Sequence, residues 1–138
     1  MSHNIIASIY EAKLISWAKA LPTPLKVVVE NEPYDPGDND TYLKAFTLPG
    51  DTASNTLGGD HRLYTGVFQV SIVTPSGKYR GPAAAIADQI AALFPVNARN
   101  TRGAFTVVTL TPAEQGPGIT GDSTYTVPVS FTYRADTN

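Results

Sequence analysis

Residues Arg62 to Thr74 read RLYTGVFQVSIVT. The run is rich in β-branched and aromatic side chains, holds one glycine and no proline, and so predicts a long strand. Its even positions Tyr64, Phe68, Val70 and Ile72 put large apolar groups on one face at period two. The odd positions Leu63, Thr65, Val67, Gln69, Ser71 and Val73 are mixed. The first face is expected in the core, and the second half covered by a neighbouring element or a neighbouring subunit. Pro75-Ser76-Gly77 stops the strand. A long polar segment, Pro49 to His61, precedes it, and an Ala-rich segment follows.

The flanking segments are read the same way. Residues 4–20 carry Ile5, Ile6, Ile9, Tyr10, Leu14, Trp17 and Ala18 on one helical stripe, capped by Ser2 or Asn4 and ended near Pro22. Trp17 is read as a core anchor. Leu25 to Glu30 is the first strand and Thr41 to Leu48 the second, with Tyr42, Phe46 and Leu48 sharing a face. The turn-rich loop between them predicts an antiparallel hairpin. Beyond the central strand, Pro82 opens a helix with Ile86, Ile90, Leu93 and Phe94 on one face. A basic turn, residues 97–102, leads to a strand over 104–111. The last strand, Ser123 to Arg134, alternates Tyr125, Val127, Val129, Phe131 and Tyr133 with small polar residues. Pro128 within it demands either a sheet edge or a position where no N–H is needed. The order α-β-β-β-α-β-β predicts an α+β domain over 1–138. About five mostly antiparallel strands would carry both helices on one face.

Composition narrows the function classes. The chain has 138 residues, 42% hydrophobic, with a net charge of −2, which disfavours a general nucleic-acid binder. It has no cysteine, hence no disulfide, thiolate nucleophile or Cys-based zinc site. Polar residues at the start and the absence of any run near 20 apolar residues lead us to expect a soluble protein used without export.

Chemistry-bearing motifs are sparse. His3 and His61 lie far apart and outside any familiar spacing with serine or carboxylate. Phosphate-loop, dinucleotide, zinc-protease and nucleophile-elbow patterns are missing. The acidic run Asp35 to Asp40 breaks the ligand alternation of a calcium loop and reads as a solvated turn. Arg99 and Arg102 form a small basic pair that can meet a phosphate or an acidic partner, though such a turn is ordinarily just solvated. No enzyme class, cofactor or metal is expected.

The order of short motifs carries more than any one of them. Trp17-Ala18, VVENEPY at Val28 to Tyr34, TLGG at Thr56 to Gly59, Arg62, GVFQV at Gly66 to Val70, Phe94-Pro95 and the strand Tyr125 to Tyr133 follow one another along nearly the whole chain. In this the chain resembles the tail terminator proteins of long-tailed bacteriophages, the group typified by the lambda minor tail protein U. Asp60 and His61 stand where that group often has Arg or Gly.

The resemblance implies a structural virion protein. It would cap the tail tube as a homo-hexameric ring, end tube polymerisation and offer the head-attachment surface. The implied partners are further copies of itself, the major tail tube protein and the head–tail connector, with DNA passing through the ring without sequence-specific binding. Assembly in the host cytoplasm and residence in the virion tail follow. Interface residues are expected at Thr56, Leu57, Gly58, Gly59, His61 and Arg62, with Arg99 and Arg102. A head–tail joining or other minor tail protein is the nearest alternative, and a small α+β ligand-binding domain or enzyme is another.

Overall fold

The structure, a computed structural model, describes residues 3–30, 32–33, 41–53, 62–77, 81–102, 105–121 and 124–137. Helix α1 (His3–Lys19) precedes β1 (Lys26–Val28), β2 (Tyr42–Ala53) and β3 (Arg62–Pro75). Helix α2 (Gly81–Leu93) follows, then β4 (Arg99–Arg102), β5 (Phe105–Thr109), β6 (Glu114–Gln115), β7 (Ile119–Thr120) and β8 (Thr124–Thr137). The strands form one sheet ordered β1-β2-β3-β8-β5-β4, with β6 and β7 also paired to β8. The α+β class is as expected. The described sheet has eight strands rather than about five, and it is mixed.

The mixed character comes from β1, which runs parallel to β2, Val27 opposite Leu43, where a hairpin was expected. The direction of β1 is set from its N-terminal side: it leaves α1 by a short turn closed by the Leu25 N–H bonding to the Ala18 carbonyl. The direction of β2 is set by its long antiparallel ladder with β3. Residues 29–41 between them are long enough to cross over, the connection a parallel pair requires.

The core is one cluster on one face of the sheet. Phe68, Val70 and Ile72 of β3 and Val127, Val129, Phe131 and Tyr133 of β8 supply the sheet side. Both helices lie on it: α1 brings Ile6, Ile9, Tyr10, Leu14 and Ala18, and α2 brings Ala83, Ala87 and Ile90. Tyr10 meets Phe68 at 5.2 Å and Phe131 at 5.0 Å between ring centroids, and Phe94 meets Phe131 at 5.0 Å. Aromatic pairs at such separations add to the burial of the rings. The alanines on α2 let it approach the sheet closely. Trp17 is half buried at the rim of this cluster rather than an anchor within it.

The core face of β2 is also not the one expected. Register puts Leu43 opposite Ile72, Ala45 opposite Val70 and Thr47 opposite Phe68, and these are the buried residues. The larger Tyr42, Phe46 and Leu48 face away from the helices. Tyr42 is nonetheless covered, by Val28 and Val73 in a small second cluster. The ladder with β3, which a period-two count cannot anticipate, sets the inward face.

Strand β2 continues through Pro49 to Ala53, over a register shift between Pro49 and Thr52. Part of the expected polar loop is therefore strand, and residues 54–61 lie outside the described residues. Likewise residues 99–102 of the expected basic turn form β4, at the outer side of β5. The turn proper is tighter: Asn97 adopts φ 65°, a left-handed conformation that Asn tolerates, and its N–H bonds to the Thr109 carbonyl at 2.7 Å.

Pro128 does not mark an edge. Strand β8 is central, with Pro128 opposite Ser71 of β3. The Pro128 carbonyl accepts the Gly116 N–H at 2.7 Å, so its ring nitrogen also faces the β6 side. The missing donor is thus missing only towards that neighbour, and there β6 gives out, resuming as β7 at Ile119. The second alternative offered by the sequence, a position that needs no N–H toward the long ladder, is the one realised.

Candidate assembly surface

Both helices lie on one face of the sheet, and no other described helix covers the opposite face. Cross-strand register lines up its rows: Phe46, Gln69, Ser130 and Glu114 form one, and Leu48, Val67 and Thr132 the next, joined by Leu110 through its N–H bond to the Thr132 carbonyl. Leu48 is 49% exposed, Leu110 41% and Ile119 64%. Exposed apolar side chains spaced among threonines and serines on one sheet face suit contact with another protein. Among the described residues only Val28, Tyr42 and Val73 form a buried cluster on this face.

Helix α1 lies between the two flanks of the sheet. On one flank Ser8 Oγ accepts a hydrogen bond from Arg102 Nη1, and Lys13 Nζ reaches Asn100 Oδ1 at 3.5 Å. On the other flank α1 and β2 enclose a cleft of about 320 Å³ lined by His3, Ala7, Glu11, Glu30, Thr47 and Pro49 among others. Burial, and then the nearby Glu30, hold the Glu11 carboxyl above the usual carboxylate range. Glu30 Oε1 accepts the Thr47 N–H.

At the mouth of this cleft His3 joins three elements. Its Nδ1 is 2.6 Å from Tyr133 Oη, its Nε2 3.4 Å from Thr52 Oγ1, and its ring meets Tyr64 edge-on at 5.2 Å. Burial lowers the imidazole pKa, and burial together with Tyr10 raises the Tyr133 phenol to about 12. A neutral His3 accepting from Tyr133 and donating to Thr52 accounts for both bonds. Partners separated by 130 residues leave no signal in a sequence, so this latch was not foreseen.

The expected interface residues divide. Thr56, Leu57, Gly58, Gly59 and His61 lie outside the described residues. Arg62 opens β3 opposite Thr137, and Arg102 pairs with Phe105 on β4, which brings both to the same end of the sheet. Arg99 lies farther along β4, opposite Val108, bordering a shallow depression with Leu110, Arg134 and Asp136. Among the described residues no group of three acidic, histidine or cysteine side chains is placed to hold a metal ion.

The profile of the phage tail terminator protein family matches residues 5–133. The chain belongs to the phage tail terminator family. A solved structure is similar to the terminator with a TM-score of 0.83 at 39% identity, over 98% of this chain and 96% of its own. No curated protein matches it. The chain is thus a structural component of a phage tail, in a family that is not an enzyme class, and it associates with other tail components in the virion.

Proposed function

We propose that the terminator closes the tail tube as a homo-hexameric ring, halting polymerisation of the tube protein and presenting the surface to which the filled head attaches. The observation that carries this reading is the uncovered sheet face with Leu48, Leu110 and Ile119 exposed, in a chain of this family. Its partners are further copies of itself, the major tail tube protein and the head–tail connector. DNA passes through the ring without sequence readout, as the net charge of −2 allows. Assembly takes place in the host cytoplasm, and the protein ends in the virion tail. Thr56 to Gly59, with His61 and Arg62, contribute contacts to the neighbouring subunit or to the ring opening, together with Arg99 and Arg102.

The test is complementation of a terminator-null phage, with tails measured by electron microscopy. Wild-type protein restores uniform tails capped by a six-fold ring and joined to heads. Uniform capped tails that still fail to join heads when the gene is absent would instead make it a joining protein. Removing residues 55–60, outside the Thr52 contact with His3, tests the polar segment: normal melting with lost tail completion is expected.

A further inference from the structure

The α1 cleft holds an electrostatic imbalance. Glu11 is half buried, and no hydrogen bond or ion pair reaches it among the described residues. Glu30 beside it raises rather than relieves its cost. Beneath them Thr47 is only 8% exposed, and its Oγ1 has no hydrogen-bond partner. Thr47 shares the inward face of β2 with Leu43 and Ala45 and lines the cleft, with its hydroxyl oxygen buried beneath the cleft surface. Glu30 has only the Thr47 N–H as a hydrogen-bond donor and Glu11 has none among the described residues, so the cleft is short of donors and of positive charge.

A cation with several N–H groups fits those acceptors better than a bare metal ion, for which the described residues offer no three-ligand cluster. The terminator carries such a group elsewhere. Among the described cations, Arg102 is engaged with Ser8, Arg134 with Asp136 at 3.3 Å and Lys26 with Glu32 at 2.6 Å. Lys13 and Lys44 lie over the rings of Phe94 and Tyr42. Arg99 and Lys19 have no partner among the described residues; Lys19 ends α1, whereas Arg99 is exposed on β4, whose outer edge pairs with no described strand. Its guanidinium presents a planar fork of donors that can bridge two carboxylates. The cleft and β4 lie on opposite flanks of α1. Two unlike, complementary patches are what a closed head-to-tail ring needs.

We propose that the α1 cleft receives Arg99 from the β4 edge of a second copy of this chain, between Glu11 and Glu30 and above Thr47. The inference rests on the ring reading and specifies its contact. Glu11 then gains the counter-charge that the described residues of its own chain do not supply. Burial in the interface would strengthen such a pair and make its loss costly.

The chain's lack of cysteine allows a direct test. Glu11→Cys/Arg99→Cys treated with a short bismaleimide is expected to give a ladder of covalent dimers, trimers and larger species, while either single variant stops at dimers. By sedimentation, Glu11→Lys or Arg99→Glu should each weaken association about tenfold or more, and the combined exchange should restore it. If Glu11→Lys lowers the melting temperature, Glu11→Gln serves, with association again reduced about tenfold. A wild type that associates while these variants associate equally well, or give no ladder, overturns the contact and leaves the ring standing. A wild type that stays monomeric at every concentration and on isolated tails overturns both.

Discussion

Tyr133 lies directly across the β3–β8 ladder from Gly66, with the hydroxyl end of its ring over the glycine Cα. A Cβ at Gly66 would overlap the Tyr133 hydroxyl and come within 2.7 Å of the Tyr133 Cζ and of the Leu48 carbonyl. The glycine is needed here for space, since its backbone is ordinary strand. That space lets the tyrosine reach His3, and so ties the start of α1 to the middle of the sheet. Gly66→Ala is expected to destabilise the fold by about 2–3 kcal/mol, the overpacking range. Urea unfolding should also show a smaller cost in a Tyr133→Ala background, because the two residues compete for one volume.

Phe68 is fully buried and Phe131 is 4% exposed, each within the ring cluster around Tyr10. Truncating either to alanine should cost about 3–5 kcal/mol. Calorimetry of the two single variants and the double would give less than additive losses, because the rings touch at 5.7 Å between centroids.

Thr47→Val removes a buried hydroxyl without a partner at nearly constant volume. The isolated chain should gain about 1 kcal/mol, the cost of leaving such a group unbonded. A loss of stability in denaturant unfolding would show that the hydroxyl has a partner in solution.

Acid should weaken the His3 latch. The imidazole pKa is lowered from 6.5 in the fold by burial. The unfolded chain therefore takes up the proton first as pH falls. The stabilisation is complete above the unfolded value and is lost as pH drops through it toward the folded one. Melting temperatures measured from pH 7.5 to 5 should fall more steeply for wild type than for His3→Gln.

Glu11 shifts stability in the opposite sense. Its carboxyl pKa lies above 4.5 in the fold, so ionisation costs stability at neutral pH and protonation relieves that cost as pH falls. Glu11→Gln should raise the melting temperature of the free subunit by about 1–3 °C at pH 7. The advantage should shrink as pH falls through the raised carboxyl pKa and the wild-type side chain takes up its proton.

Period-two alternation was decisive wherever one face is uniformly large. Phe68, Val70 and Ile72, and Val127 to Tyr133 in alternate positions, lie in the core as the sequence alone implies. The helical stripe of Ile6, Ile9, Tyr10 and Leu14 likewise follows from local spacing, and motif order along the chain was enough to reach the family. Where alternation is ambiguous, register decided instead. The inward face of β2 became Leu43, Ala45 and Thr47 because its ladder with β3 sets these residues opposite Ile72, Val70 and Phe68. The parallel placement of β1, the interruption of the β6–β7 side opposite Pro128, and the growth of a basic turn into β4 are pairing outcomes. Each depends on which strands become neighbours. The α1 cleft is of the same kind. Glu11, Glu30 and Thr47 are unremarkable polar residues along the chain, and only the packing of α1 over β2 gathers their unmet charge and hydroxyl in one place.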